Sequence, residues 1–194
     1  MSNYTAGVDE AGRGPLAGPV TVAAVILKKP IAGLNDSKKL SEKKRFSLEP
    51  LILKNAVAYA IVHVSVATIE EINILQASLL GMQQAVAALD IIPDEVLVDG
   101  NKCPKFSQPA QAIIGGDGKI AEISAASILA KNARDRLMIE MAKEFPQYGF
   151  EKHKGYGTKH HLQQLKLHGP CKHHRKSYVP IQKLLQMELF KIIS

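Results

Sequence analysis

Short apolar segments alternate with segments of helical periodicity, and this alternation constrains the fold more than any other feature of the sequence. Residues 20–27 present apolar side chains on both faces, as expected of a central strand covered from two sides. Further strands are predicted at residues 6–8, 57–66, 96–98 and 110–114, and helices at residues 41–54, 68–89 and 121–143. This order favours an α/β fold in which helices cover both faces of a mixed or mostly parallel sheet.

Two of the predicted helices carry start signals. Ser41 precedes a charged helix, which Pro50 is expected to kink or interrupt. Thr68 and Glu71 have the three-residue spacing of a capping box, so the next helix is predicted to begin at Thr68. Two or three short helices after residue 158 are predicted to form a basic C-terminal lobe on a single main domain.

Acidic residues occupy the points where three predicted strands end. They are Asp9 with Glu10, then Asp99, and then Asp117. In open α/β sheets, binding sites gather beyond the carboxyl ends of the strands. We therefore expect these carboxylates to meet in one pocket.

Several carboxylates in a partly desolvated site repel one another, and divalent cations relieve that repulsion. Mg²⁺ and Mn²⁺ prefer carboxylate oxygens, and two such ions about 4 Å apart can clamp the attacking and leaving oxygens of a phosphate. The pattern thus predicts two-metal nuclease chemistry without an amino-acid nucleophile. For any single acid, a turn or N-cap role is the better interpretation, and only their convergence favours a metal site.

Other acids nearby are less clearly placed at strand ends. They are Asp94, Glu95, Glu122 and Asp135. Asp135 stands between Arg134 and Arg136, a pattern that predicts a surface ion pair.

A glycine-rich run follows the first acidic pair. Gly12 and Gly14 leave no side chain between the backbone and a ligand, and Arg13 between them offers a charged fork for a phosphate. The run lacks the GxxxxGK[ST] loop and the dinucleotide fingerprint. Because it lies directly behind Asp9 and Glu10, it predicts substrate recognition beside metals.

Excess positive charge is concentrated near the C-terminus. The net charge is +7, and residues 152–176 contain seven Lys and Arg side chains and no acidic one. Six of the seven histidines lie in the same stretch. A patch of one sign indicates a polyanion partner such as nucleic acid. The alternatives are a solvated basic surface helix and, for the histidines, a metal site, which the lack of paired cysteines disfavours.

Membrane and secretory classes are disfavoured. The chain has no run of 18 apolar residues, and its first residues lack the pattern of a secretory signal. A cytoplasmic protein with no membrane contact is therefore expected. Cys103 and Cys171 are far apart and outside any CxxC pair, which predicts free thiols.

Several long motifs, in order, resemble one known family: type 2 ribonuclease H, or ribonuclease HII, in its bacterial form. The motifs are GVDEAGRGPLAGPV, LNDSKKLSEKKR, VLVDGNKCP, GGD before EISAASILAK, FPQYGF with HKGYGT, and HHRKSYVP. They span nearly the whole chain. Such a set is far more specific than any group of acids alone.

The resemblance implies roles for individual residues. The metal-binding quartet of the family falls on Asp9, Glu10, Asp99 and Asp117. Its GRG element falls on Gly12, Arg13 and Gly14, whose main chain would contact the ribose 2′-hydroxyl and the adjoining phosphate. Its tyrosine falls on Tyr156, which would abut the sugar on the DNA side and contact the same hydroxyl. Lys38 and Lys39 would line the substrate groove.

The resemblance also implies fold and activity. The fold would be a ribonuclease H-like five-stranded mixed sheet flanked by helices, with a small helical C-terminal lobe. Residues 1–145 would form the catalytic core and residues 146–194 the lobe, within one compact and monomeric unit. With two Mn²⁺ or Mg²⁺ ions, the enzyme would cut 5′ to a ribonucleotide in RNA/DNA hybrids and in duplex DNA that carries single ribonucleotides. It would leave 3′-hydroxyl and 5′-phosphate ends and start ribonucleotide excision repair.

A short C-terminal segment resembles the peptides by which bacterial replication proteins bind the sliding clamp. Leu189 and Phe190 could fill an apolar pocket on the clamp, and Gln186 could anchor the segment by hydrogen bonds. The favoured alternative is that Leu189 and Phe190 pack the terminal helix onto the lobe.

Two other functions compete with this interpretation. A non-catalytic nucleic-acid-binding module would explain the basic lobe, but not the strand-end acids, which repel phosphate unless metals intervene. A different metal-dependent phosphodiesterase on the same fold would explain the acids. It would not explain the groups at Gly12–Gly14 and Tyr156 that are expected to contact a 2′-hydroxyl.

Overall fold

The computed structural model describes residues 4–34 and 40–193, with side chains as far as residue 187. The strands are β1 (Thr5–Ala11), β2 (Val20–Leu27), β3 (Ala56–Val64), β4 (Glu95–Asp99) and β5 (Ala110–Ile113). The helices are α1 (Glu42–Asn55), α2 (Val66–Ala87), α3 (Ala121–Glu144), α4 (Phe150–His153), α5 (Lys159–His168) and α6 (Val179–Ile193). Within these described residues, no helix is long and apolar enough to cross a membrane.

The five strands form one mixed sheet in the order β3-β2-β1-β4-β5. β1 pairs antiparallel with β2, and β2 with β3, whereas β1 with β4 and β4 with β5 are parallel. The five-stranded mixed sheet predicted from the family resemblance is thus confirmed.

Helices cover both faces of the sheet because β2 is apolar on both sides. Val22, Ala24 and Ile26 pack in one core cluster with α2. Ala23 and Val25 pack in a second cluster with α1 and α3. The double-sided apolar pattern of residues 20–27 therefore predicted the layer architecture correctly.

Helix α3 approaches the central strand unusually closely at Gly7. A Cβ atom on Gly7 would lie 2.2 Å from the backbone of Glu122 and Ile123, closer than any real contact. Only glycine permits this approach, which brings the first turn of α3 against β1. β1 itself continues to Ala11, beyond the predicted end at residue 8, because residues 9–11 keep their pairing with β2.

Two helix predictions require correction. Ser65, not Thr68, is the N-cap of α2, because its hydroxyl accepts a hydrogen bond from the N–H of Thr68. α2 also breaks at Asn73, whose φ is 64°. Pro50 lies inside α1 without ending it.

The C-terminal helices pack against the N-terminal part of the chain. Leu16, Ala17 and Met138 share a core cluster with Phe150 and Ile181. Cys103 and Cys171 are both free, as predicted. The division at residue 145 stays a prediction.

Candidate active site

The parallel register of β1 and β4 brings two of the predicted acids together. The pairing ends at Val8 opposite Val98, so Asp9 and Asp99 are the next residues on adjacent strands. Asp9 is buried and Asp99 is partly buried. Their carboxylates thus meet at the carboxyl end of the parallel pair.

A tight turn after β5 supplies the third acid. Gly115 has a φ of 64°, and a short 3-10 helix, Gly116–Gly118, follows it. Oδ1 of Asp99 accepts hydrogen bonds from the N–H groups of Gly116 at 2.7 Å and Asp117 at 3.4 Å. The Ser124 hydroxyl donates to the carbonyl of Asp117. These bonds tie the turn to both β4 and α3.

One carboxylate oxygen each from Asp9, Asp99 and Asp117 lies within 4.8 Å of the others. Burial and the neighbouring charges of Glu10 and Asp99 raise the pKa of Asp9 well above its usual value, although the Ser127 hydroxyl opposes this. A buried group of acids with mutual repulsion fits a hard divalent cation. The predicted convergence therefore holds for three of the four acids.

Glu10 lines the same cleft without belonging to this group of three. Successive residues of a strand point to opposite faces, so Glu10 diverges from Asp9. Its Oε1 accepts from Nη1 of Arg13 at 3.3 Å. Glu10 is thus positioned at the rim beside the glycine-rich run.

A cleft of about 440 Å³ joins the predicted residues into one site. Its lining comprises Asp9, Glu10, Ala11, Gly12, Arg13, Gly14, Arg45, Asp99, Ser127, Lys131 and Tyr156. Asp117 is not among these residues, although it lies beside Asp9 and Asp99. Arg45, Ser127 and Lys131 were not predicted from the sequence.

Gly12 allows a close approach behind this cleft, and Gly14 lies within ordinary contact distance of Tyr156. Gly12 has a φ of 99°, and a Cβ there would lie 2.0 Å from Nε of Arg134. A Cβ on Gly14 would lie 3.7 Å from the ring of Tyr156. The glycine-rich run and Tyr156 therefore form one continuous wall, and the Tyr156 side chain is exposed to solvent there.

Asp135 is not the surface residue that the sequence predicted. It is 1% exposed and accepts from Nη2 of Arg45 at 3.1 Å and from Nζ of Lys131 at 2.7 Å. Burial lowers the pKa of Lys131, and the Asp135 carboxylate opposes that change. Lys131 Nζ also lies 5.9 Å from the centroid of the Tyr156 ring. Asp135 thus holds Arg45 and Lys131, and the Lys131 ammonium lies on the floor of the cleft.

Arg134 and Arg175 are buried behind the glycine-rich run. Arg134 donates to the carbonyls of Ala17, Pro19 and Lys154. Burial and the charge of Arg175 lower the pKa of Arg134 to about 10.

The basic stretch is therefore only partly a surface patch. Arg175, His161 and His174 are all buried, contrary to their inclusion in a charged surface. Lys154 is also drawn inward, because its Nζ donates to the carbonyl of Glu151. Lys152, Lys159 and Lys166 remain exposed, so part of the predicted basic surface is present.

Several predicted residues are not described in the structure. Lys38 and Lys39 lie outside the described ranges. Gln186 is exposed on α6, and the side chains of Leu189 and Phe190 lie beyond the described ones.

Comparisons with known proteins point to one family. A family model described as Ribonuclease HII matches residues 6–180. Ribonuclease HII from Vibrio campbellii is 54% identical over 185 residues, covering 94% of this chain and 87% of the relative. The enzyme from Dechloromonas aromatica is 53% identical, covering 93% of each. The crystal structure of ribonuclease H2 from Pyrococcus horikoshii matches with a TM-score of 0.79 and 25% identity, covering 95% of this chain and 98% of that one.

Proposed function

The chain belongs to the ribonuclease HII family, and from this premise we propose that it cuts RNA/DNA hybrids and duplex DNA at single ribonucleotides. It is a metal-dependent ribonuclease H, which rules out a non-catalytic binding module. The proposed cut lies 5′ to the ribonucleotide and leaves 3′-hydroxyl and 5′-phosphate ends. Such a cut would start the excision of misincorporated ribonucleotides.

A single observation carries this proposal. Asp9 and Asp99, which lie beside Asp117, line a cleft whose adjacent wall is Gly12–Gly14 with Tyr156. A metal-dependent nuclease needs the group of acids. Selection of a ribonucleotide needs groups that bind its 2′-hydroxyl, and the wall offers them. A different phosphodiesterase on this fold would have no use for the wall.

The carboxylates of Asp9, Glu10, Asp99 and Asp117 would hold two divalent cations, Mg²⁺ or Mn²⁺. When bound, the ions would supply an activated water and stabilise the departing 3′ oxygen. The protein's own part is to hold these acids before the ions arrive. It does so through the β1–β4 register and the hydrogen bonds from the turn to Asp99.

Recognition of the ribose would fall to the wall of the cleft. The 2′-hydroxyl is both donor and acceptor, so main-chain groups of Gly12–Gly14 and the hydroxyl of Tyr156 can each bind it. A deoxyribose would leave those groups unpaired, which disfavours it. Tyr156 would also abut the next sugar, because its ring is exposed in the cleft.

Cations around the cleft would bind the phosphates. Arg13 is half exposed at the rim, and Lys131 lies on the floor. Lys38 and Lys39 are proposed for the groove on the strength of the family motif alone.

We further propose that the enzyme acts as a cytoplasmic monomer.

The test is cleavage of a duplex that carries one ribonucleotide, compared with the same duplex made wholly of DNA. Cutting should occur with Mg²⁺ or Mn²⁺, stop with chelator, and place the nick 5′ to the ribonucleotide. Equal cutting of the two duplexes would reject the proposed substrate. Cutting that persists in chelator would reject the metal role.

A contact with the sliding clamp through Gln186, Leu189 and Phe190 stays a separate prediction. Purified clamp should retain the wild-type chain and lose the Phe190→Ala variant. Equal retention of both would end this idea.

A further inference from the structure

The two parts of the proposed recognition wall come from distant regions of the chain, yet one segment holds both. This segment, residues 171–175, is called the clasp. It bonds to the loop after the glycine-rich run, where Gly18 donates to the carbonyl of His173 and Arg175 donates to the carbonyl of Leu16. Ala17 and His174 also form an isolated antiparallel bridge.

Arg175, the last residue of the clasp, forms hydrogen bonds directly with the glycine-rich run. Its guanidinium donates to the carbonyls of Gly12 at 2.6 Å, Arg13 at 2.8 Å and Gly18 at 2.8 Å. The Tyr178 hydroxyl donates to the same Arg13 carbonyl at 2.6 Å. Arg175 thus binds the main chain of this run at both Gly12 and Arg13.

His174 is connected to Tyr156, the other part of the wall, through the side chain of His161. Its Nδ1 accepts from the N–H of Cys171 at 2.9 Å, so its proton is on Nε2. That N–H points at Nε2 of His161, 3.0 Å away, which must therefore accept. The proton of His161 is then on Nδ1, which donates to the carbonyl of Tyr156 at 2.9 Å.

This chain of bonds assigns opposite tautomers to the two neutral rings. Each ring nitrogen has one partner, and a proton added to either ring would place two donors face to face. Burial lowers the pKa of His161 to about 4 and that of His174 to about 3, in agreement with neutral rings.

We propose that Arg175 and the His161–His174 pair are positioning residues that hold Gly12–Gly14 and Tyr156 at the separation needed to recognise a ribonucleotide. This inference rests on the proposed function. None of the three groups touches the reacting atoms. They act through the carbonyls that they bind.

Stability alone is a weak reason to keep such groups buried. Arg175 is fully buried and its described polar partners are carbonyls and a hydroxyl, with no carboxylate among them. Burial of a cation is costly, and well-packed apolar residues often serve a fold as well or better. The multiple bonds to named carbonyls of the recognition wall indicate a geometric purpose.

Two substitutions of His161 separate the hydrogen bond to Tyr156 from the bond to His174. The amide nitrogen of asparagine takes the place of Nδ1, whereas that of glutamine takes the place of Nε2. His161→Asn therefore keeps a donor for the Tyr156 carbonyl, and His161→Gln loses it. Arg175→Lys keeps the charge but cannot reach three carbonyls.

The experiment measures kcat/KM on the single-ribonucleotide duplex and the inhibition constant of the all-DNA duplex as a competitor. His161→Gln and Arg175→Lys should lose roughly tenfold to a hundredfold in kcat/KM, as for displaced recognition groups, with the inhibition constant unchanged. His161→Asn should stay within about threefold of wild type, a difference of less than about 0.7 kcal/mol. Ile52→Val, in the core away from the clasp, serves as the control for stability.

Three results would overturn the inference. They are wild-type kcat/KM in both His161→Gln and Arg175→Lys, equal losses in the two His161 variants, and losses that move the inhibition constant in parallel. Nitrogen NMR of the wild-type imidazoles offers a further check, and a proton on Nε2 of His161 would also overturn it. A wild-type chain that cuts the two duplexes equally would instead reject the proposed function.

Discussion

Asp99 has two tasks at the edge of the sheet. Its Oδ1 accepts hydrogen bonds from the turn after β5, and the same carboxylate belongs to the group with Asp9 and Asp117. An amide at this position keeps an oxygen for the turn but removes the negative charge. The fold and the proposed metal site can therefore be tested apart.

Asp99→Asn should lower kcat by more than about a hundredfold while affinity for the duplex falls little, because ligand loss costs more than the loss of a supporting bond. Cleavage and gel-shift assays measure the two effects. The control is Asp94→Asn at the opposite end of β4, where the exposed carboxylate accepts from the N–H of Tyr4. Turnover by Asp99→Asn at the wild-type rate would contradict a metal role.

Lys131 allows a similar test for phosphate binding. Lys131→Met should make the plot of log affinity against log salt shallower by about one, since one phosphate contact is lost. Asp135 keeps its bond from Arg45 in this variant. Lys143→Met, on the same helix and paired with Glu140 at the surface, should leave the slope unchanged. A slope in Lys131→Met that matches wild type would remove Lys131 from the binding surface.

At single residues, the sequence predicted which acids lie close together better than it predicted which charged side chains are buried. Asp9, Asp99 and Asp117 could be selected because a strand end is visible in a local pattern. Asp135 and Arg175 were taken for surface charges because each has partners far away in sequence. Asp135 binds Arg45 as well as the nearby Lys131, and Arg175 binds Gly12 and Gly18. Local spacing does not show which distant segment will cover a charge.

Among the elements, α2 departs most from its sequence pattern. Asn73 has a positive φ, and its Oδ1 accepts from the N–H groups of Leu75 and Gln76. It thus acts as an N-cap inside what reads as one helix. Its φ of 64° and ψ of 164° lie in a backbone region that is essentially restricted to glycine, so the cap hydrogen bonds hold a strained residue at the break.

Asn73→Ala should lower the free energy of unfolding by about 1–2 kcal/mol, because the two cap hydrogen bonds of the Asn73 side chain are lost. Asn73→Gly should cost less, since glycine relieves the backbone. Urea denaturation measures both, with the exposed Gln84→Ala as a control expected within about 0.5 kcal/mol of wild type. An Asn73→Ala variant as stable as Gln84→Ala would show that the Asn73 side chain does not stabilise the break.

Element boundaries were predictable where the pattern was local. The strands at 20–27 and 110–114 and the helix at 121–143 differ from the observed ones by a residue or less at each end. β1 was predicted too short, because pairing with β2 carries its acidic residues into the sheet. The start of α2 was misplaced because Ser65 and Thr68 are both residue types that suit an N-cap. The hydrogen bond from the N–H of Thr68 to the Ser65 hydroxyl identifies Ser65 as the cap.

For the molecule as a whole, stability should fall on acidification below about pH 6.5. The folded pKa values of His161 and His174, about 4 and about 3, lie below the ordinary 6.5, so the unfolded chain binds more protons between these limits. Stability is therefore full above pH 6.5 and is lost as the pH falls toward 4. Each histidine should contribute about 1–2 kcal/mol of loss by pH 5.

Urea denaturation at pH 5, 6 and 7 tests this expectation. The lowered pKa values of His63, His153 and His173, which burial causes, act in the same direction, whereas the raised pKa of the buried Asp9 acts in the opposite direction. His174→Gln should flatten the pH dependence by about one proton, whereas Gln84→Ala, which removes no titratable group, should leave it as in wild type. Equal stability of the wild-type chain at pH 5 and pH 7 would refute the neutral pair.

The central strand has its two neighbours at very different distances along the chain. β1 pairs with β2 close by, but its other partner begins 90 residues later, at Glu95 opposite Thr5. On the proposed function, we expect a chain still growing on the ribosome to lack a working nuclease centre until Asp117 has emerged. It would then be unable to single out a ribose until residues 171–175 followed. The ability to cut would therefore precede the selectivity for ribose, and both would be completed only in the later part of synthesis.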